Sequence, residues 1–358
     1  MKQSSINNVV KLPSELERQQ IFYWLKKLSS LTAWRRIFEY YQAWADVTEK
    51  SVRQADNNGV GDDTSLPLAE YALILKCLAH CEEGVTRLSK GDKRIFKFDS
   101  HGEFVMAMRM LTHWSQMLQR IQLGENGIKK GTPGWVDFCE ALTALAEAWG
   151  ECGPQILEAR YLEDPAPTLY GQWLQSELAK TPFPAQLAPV PDPLDNVFVR
   201  TGEHLPCSGI WEPVKMPKPS ILNLLTRPPK PQPPFAIQGC MNYLHAGSNA
   251  PMMTVETTDD NIDLDTTWRL LWRDDRYSDG TIPEEEAHYV FTKPDKAHSP
   301  APPIWVPTAT IWAESGRPAP VAGKWLAETD LRASIMLEKG EILPLHQGQI
   351  VRWVLAGA

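Results

Sequence analysis

The sequence predicts an α+β protein, with an all-α N-terminal domain followed by a proline-rich, mostly β C-terminal domain. Three observations carry that prediction. Of the 30 prolines, 6 fall at or before residue 180 and 24 after it, so only the first half can hold long helices. Apolar residues in the first half recur at helical spacing. In the second half they gather in short segments separated by turns. The boundaries drawn from these patterns are a helical domain at 12–180, a Pro-rich linker at 181–195 and a β-rich domain at 196–358.

The helical domain opens on Ser14-x-x-Glu17, the signature of a capping box. Ile21, Trp24, Leu25 and Leu28 then line one face, and Trp34, Ile37, Phe38, Tyr41, Trp44 and Ala45 repeat the pattern in a second helix. Asn57 to Asp63 reads as a turn. Pro67 to Leu88 is apolar on several faces and is expected to be the most buried helix, closed by Gly91-Asp92. Asp99 or Ser100 is placed to cap a fourth helix carrying Phe104, Met108, Leu111, Leu118 and Ile121. Thr132-Pro133 signals the start of a fifth, with Trp135, Phe138, Leu142, Leu145 and Trp149 inward. Shorter helices are expected around 156–161 and 169–178. Aromatic and Met stripes at this spacing are core, and together they make an antiparallel bundle.

Beyond the linker, β segments are expected at 196–200, 235–244, 266–272, 288–291, 304–312, 334–337 and 349–355. This half contains a degenerate internal repeat. Gly202-x-x-x-Pro206-x-Ser208-Gly209-x-Trp211 matches Gly316-x-x-x-Pro320-x-Ala322-Gly323-x-Trp325. Leu244-x-x-Gly247-x-x-x-Pro251 matches Leu337-x-x-Gly340-x-x-x-Pro344. A Trp-bearing strand follows each, with Trp268 and Trp272 in one copy and Trp353 in the other. The offset falls from 114 to 93 residues, so the first copy carries a 21-residue insertion, placed in the Pro-rich stretch 217–234. The repeat units, at about 196–292 and 304–358, are each expected to be a small twisted sheet or SH3-like barrel. Gly would form turns and Trp a small core, to which Trp211, Trp268, Trp272 and Trp325 are assigned.

A formal net charge of −8 argues against nucleic acid as a direct ligand, because phosphate binding needs a basic face. No apolar run approaches a membrane span, and no export signal follows Met1-Lys2-Gln3, so a cytoplasmic chain is expected. Cys77, Cys81, Cys139, Cys152, Cys207 and Cys240 lack the C-x2-C spacing of structural zinc and read as reduced, mostly buried thiols. No cofactor is expected.

One stretch concentrates aromatic, cationic and anionic side chains more than any other. It runs from Trp268-Arg269-Leu270-Leu271-Trp272-Arg273-Asp274-Asp275-Arg276-Tyr277 to Asp279-Gly280-Thr281-Ile282-Pro283-Glu284-Glu285-Glu286. The net charge is −2 through residue 180 and −6 after it, and the excess gathers here and in Asp259–Asp265. Acidic blocks speed encounter with a basic partner. Arg273, Asp274, Asp275, Arg276, Tyr277, Asp279, Glu284, Glu285 and Glu286 are therefore the candidate partner-binding residues.

Three other readings apply to the same half. Asp275 to Glu286 partly follows an EF-hand calcium loop, but Tyr277 stands where an oxygen ligand belongs and a strand precedes it. Asp274 and Asp275 between Arg273 and Arg276 have the residue types of a general acid/base pair. Against enzyme chemistry, the eight histidines form no metal or catalytic motif, Ser208-Gly209 sits in no nucleophile elbow, and Glu284–Glu286 after Pro283 suits the first turn of a short helix. The third reading is a peptide-binding module, in which exposed aromatics grip an extended Pro-rich segment such as the chain's own Pro228–Pro234.

Arg200-Thr201-Gly202-Glu203, Pro206-x-Ser208-Gly209-x-Trp211-Glu212-Pro213, Gly239-Cys240-Met241-Asn242-Tyr243-Leu244 and Trp268-Arg269-x-x-Trp272-Arg273-Asp274-Asp275 resemble bacterial polymorphic-toxin immunity proteins of the immunity protein 72 type. The helical region before them is similar in length and pattern to immunity protein 71. The resemblance implies a non-enzymatic partner of a toxin delivered by a type VI or contact-dependent secretion system. It also implies neutralisation by direct binding. A basic toxin such as a nuclease would suit the acidic blocks. The resemblance assigns no binding residues.

Overall fold

The computed structural model describes residues 11–61, 63–129, 132–161, 163–193, 196–216, 234–257, 260–292, 312–328 and 330–357. Asp259, most of the expected strand at 304–312 and all of the Pro-rich stretch 217–234 except Pro234 lie outside them.

Six α-helices precede the strands among these residues: α1 (Glu15–Leu28), α2 (Leu31–Asn57), α3 (Leu68–Leu88), α4 (Glu103–Gln122), α5 (Trp135–Ile156) and α6 (Gln172–Lys180). The α+β class is thus as expected. The capping box forms: Ser14 Oγ accepts from Glu17 N–H at 3.3 Å, and Glu17 Oε2 from Ser14 N–H at 2.8 Å. Ile21, Trp24, Leu25 and Leu28 are buried, as are Trp34, Ile37, Tyr41, Trp44 and Ala45 of α2.

Three helix boundaries differ from expectation. Thr132 does not cap α5, because its hydroxyl accepts Ser65 N–H at 2.8 Å. The first helical bond is instead Phe138 N–H to Gly134 O at 3.0 Å, with Gly134 at φ 61°. Asp99 is spent on a local turn, accepting His101 N–H at 2.8 Å, and α4 starts only at Glu103. Residues 157–161 are not helical, since Glu158 N–H bonds outward to Phe96 O at 2.9 Å.

The chain forms two compact units. The first comprises Met1–Ile37, Glu83–Val105 and Glu147–Pro294; the second comprises Phe38–Glu82, Met106–Ala146 and Asp295–Ala358. In the first, Trp34 stacks on Phe104 with ring centroids 4.0 Å apart. In the second, Phe138 meets Trp114 at 4.9 Å and Trp44 at 5.6 Å.

The first unit carries β1 (Phe198–Arg200), β2 (Gly209–Lys215), β3 (Ala236–Ile237), β4 (Asn242–Leu244), β5 (Met253–Glu256), β6 (Asn261–Leu264) and β7 (Thr267–Arg273). The second carries β8 (Trp312–Glu314), β9 (Gly323–Ala327), β10 (Asp330–Leu337) and β11 (Arg352–Gly357). One sheet runs β1-β7-β2-β3, with β4 also on β2; another runs β10-β9-β11-β8; β5 and β6 form a hairpin. All pairs are antiparallel. The expected strand at 288–291 is absent, its place taken by a 3₁₀ helix at Glu284–His288 and irregular chain.

The two copies of the repeat have one topology, β1-β7-β2-β4 against β8-β11-β9-β10. Registers agree residue for residue: Val199 faces Trp268 as Ala313 faces Trp353, and Trp211 faces Leu270 as Trp325 faces Leu355. So do the loops. Gly202 N–H bonds to Ala250 O at 2.8 Å, and Gly316 N–H to Leu343 O at 2.7 Å. Gly247 N–H bonds to Leu205 O and Gly340 N–H to Ala319 O, each at 2.8 Å. The indole N–H of Trp268 reaches Pro251 O at 2.8 Å, and that of Trp353 reaches Pro344 O at 2.9 Å. Gly202 and Gly316 turn at φ 84° and 82°, where an L side chain is strained. Trp211 and Trp325 are fully buried, each in the apolar core of its copy. The hairpin β5–β6 lies between Pro251 and Trp268, where the first copy is again longer than the second.

Candidate partner-binding site

The site grows from the end of β7. Asp274 N–H bonds to Ser208 O at 3.0 Å, which turns its carboxylate inward. That carboxylate accepts the Tyr243 hydroxyl at 2.9 Å, Arg276 Nε at 2.8 Å and an Arg276 terminal nitrogen at 2.7 Å. Lys93 Nζ stands 3.6 Å away and donates to Arg276 O at 2.9 Å, over the Tyr277 ring. Burial alone would raise the Asp274 carboxyl, but Arg276 and Lys93 hold it below the usual carboxylate range. Burial pushes Lys93 down to about 8, against the pull of Asp274.

This cluster also ties off two helices. Arg276 donates to Lys26 O at 2.9 Å and to Ser29 Oγ at 2.7 Å, at the C-terminus of α1. A guanidinium there meets the negative end of the helix dipole. Tyr277 is held at φ 70°, so its hydroxyl accepts Leu31 N–H at 2.8 Å and donates to Glu286. The other Glu286 oxygen accepts Thr32 N–H at 3.1 Å and the Thr32 hydroxyl at 2.8 Å, at the start of α2, where helix geometry provides the first amides with no acceptor of its own. One segment thus closes both ends of the α1–α2 corner.

The nine candidate residues therefore divide. Asp274, Arg276, Tyr277 and Glu286 are buried and committed to the fold. Arg273, Asp275, Asp279 and Glu284 are exposed, and Glu285 is partly exposed beside Lys26. The side chain of Asp275 keeps 73% of its accessible surface. Asp279 accepts the N–H and hydroxyl of Thr281 at 2.9 and 2.7 Å, which fixes the turn below it. The second acidic block does not divide: Asp260, Asp263 and Asp265, in and flanking β6, are all exposed, beside exposed Ile262 and Leu264. Trp211, Trp268 and Trp325 are core as assigned, whereas Trp272 is half-buried between the Phe22 ring and Arg276.

Sequence reasoning missed the helix-capping role of Arg276 and Glu286. In the structure burial alternates along Arg273, Asp274, Asp275 and Arg276, as it would on a strand, but the four charged residue types carry no such alternation in the sequence. The calcium reading loses its twelfth ligand, because Glu286 is bound to Tyr277 and Thr32. Among the described residues no group of three or more His, Cys, Asp or Glu is placed to hold a metal. All six cysteines are free thiols, and burial pushes Cys139 up to about 11 and Cys152 up to about 12. No described helix is long and apolar enough to cross a membrane.

The arrangement is a buried, hydrogen-bonded frame that carries exposed charged side chains. Residues 12–167 match the family model described as Immunity protein 71, and residues 189–290 match that described as Immunity protein 72. Both resemblances are thus matched by a family model, the two matches lying one after the other along the chain. The second match covers the first repeat copy with its acidic segment. No curated protein and no solved structure matches the chain.

Proposed function

We propose that this chain is an immunity protein that binds a cognate secreted bacterial toxin and neutralises it by direct contact, in the cytoplasm of the cell that makes both. The tandem match to two immunity-protein families carries the reading. Such families are generally non-catalytic inhibitors, and the committed hydrogen bonds of Asp274 and Glu286 suit a scaffold better than an acid/base pair. The contact surface is Arg273, Asp275, Asp279, Glu284 and Glu285, held on the buried frame of Asp274, Arg276, Tyr277 and Glu286. Its acidic excess favours a basic partner, as a toxin that acts on nucleic acid would be. Preorganisation of the loop removes the ordering cost that a flexible acidic loop would carry into binding.

The test is survival. Cells producing the cognate toxin domain should grow when the chain is co-produced and arrest without it. Arrest in both cases, with both proteins shown to accumulate, contradicts immunity.

A further inference from the structure

The two repeat copies share a fold but differ in what covers their outer faces. In the first copy this face carries Phe198, Glu212, Val214 and Arg269. Glu212, Val214 and Arg269 are buried under the chain's own residues. Arg18 of α1 pairs with Glu212 at 2.9 Å. The Phe235 ring sits 5.3 Å from Phe198, with the Arg269 guanidinium 4.5 Å above it. Phe235 directly follows the Pro-rich insertion, and Asp192, between two prolines, pairs with Arg269.

By register, the second copy places Trp312, Leu326, Glu328 and Val354 at those four positions. The second copy lacks the 21-residue insertion, and with it a counterpart of Phe235. There the same face borders a largely apolar groove of about 240 Å³, lined across from the sheet by Leu75 and Lys76 of α3. Trp312 is 51% exposed, with Arg352 stacked on it at 4.3 Å. Lys76 lines the groove and Arg352 pairs with Glu328 at 3.8 Å, so these three side chains leave one net positive charge there.

From this we infer that the groove between α3 and the second sheet is a docking site for an aromatic side chain on an extended, proline-flanked and acidic segment of a partner protein. The incoming ring stands where Phe235 stands in the first copy. The ring gains from the Trp312 face and from apolar burial, and the net positive charge selects carboxylates beside it. Proline flanks keep the segment extended and lower its ordering cost. The inference holds whether or not the partner is a toxin.

The probes are synthetic nine-residue peptides with the sequence of residues 227–235, added to the full-length protein labelled with ¹⁵N at tryptophan. One carries Arg227→Glu and Lys230→Glu; a second adds Phe235→Ala. The indole N–H signal of Trp312, assigned with W312F, should move saturably with the first peptide. It should move at least about tenfold more weakly with the second. Leu75→Glu should abolish the shift while the other indole signals keep their positions, which separates loss of the groove from loss of fold. An unmoved Trp312 signal at millimolar peptide overturns the inference, as do equal shifts with both peptides or a shift that survives Leu75→Glu.

Discussion

Glu286 caps the start of α2 from more than 250 residues away in the sequence, accepting both the N–H and the hydroxyl of Thr32. With Arg276 on the last turn of α1, it makes the acidic segment part of the helical region's own fold. The exposed acidic side chains and the α1–α2 corner therefore belong to one hydrogen-bonded unit.

Removing one member of the buried cluster should be costly. Arg276→Met leaves Asp274 buried without its main counter-charge, and should destabilise the protein by about 3–5 kcal/mol. Tyr277→Phe removes one hydroxyl that serves Leu31 and Glu286, and should cost about 1–3 kcal/mol. Urea unfolding followed by tryptophan fluorescence measures both. If either variant unfolds at the wild-type midpoint, the cluster is not structural.

His245 makes stability fall with acid. It is buried, and its pKa is lowered from 6.5 to about 4, chiefly by burial, with Glu158 opposing and Lys97 adding to the shift. The unfolded chain binds a proton as pH drops below 6.5, while the folded protein resists until about 4. Its contribution is thus complete above pH 6.5 and is lost as pH falls through that window, on the order of 3 kcal/mol in all. His245→Asn should flatten the dependence of the urea midpoint between pH 7 and 4.5. Parallel curves for variant and wild type would exclude His245 as the source.

The repeat predicts matched glycine costs. Gly202→Ala and Gly316→Ala force φ near 80° on an L residue, with open space around the Gly202 Cβ position and the Gly316 one. Each should cost about 1–2 kcal/mol. Gly209→Ala should cost clearly more, because its Cβ would lie 2.1 Å from the Trp272 carbonyl oxygen. Thermal or urea midpoints rank the three. A Gly209 variant milder than the other two would contradict the strand geometry.

Helices were legible because their signals are local: a capping box at Ser14 and stripes such as Trp135, Phe138, Leu142 and Leu145. Their ends were less so, since Thr132 and Asp99 have the right chemistry for caps but spend it on Ser65 and on a local turn. The repeat was legible from Gly, Pro and Trp spacing alone. Its strand β2 was not, because Pro213 argues against a central strand. Pro213 is tolerated between the stretches bordered by β3 and β4, where its carbonyl accepts Gln238 N–H at 2.9 Å. The candidate surface was located by composition, but composition does not tell Asp274 from Asp275. Only the partners at Ser29, Leu31, Thr32 and Lys93 decide which side chains turn inward, and those contacts are remote in sequence.

The most direct measurement is the affinity of the purified chain for its cognate toxin domain, at about 50 and 300 mM salt, for wild type and for the triple variant Asp275→Lys/Asp279→Lys/Glu284→Lys. These three side chains are exposed and the fold loses chiefly the Asp279 contacts with Thr281 in one surface turn, so the variant should melt within a few degrees of wild type. Binding by wild type should be tight and weaken with salt, and the variant should bind at least about tenfold more weakly at low salt. Unchanged affinity in the variant would place the contact elsewhere on the molecule. No binding by either protein would contradict immunity by direct contact.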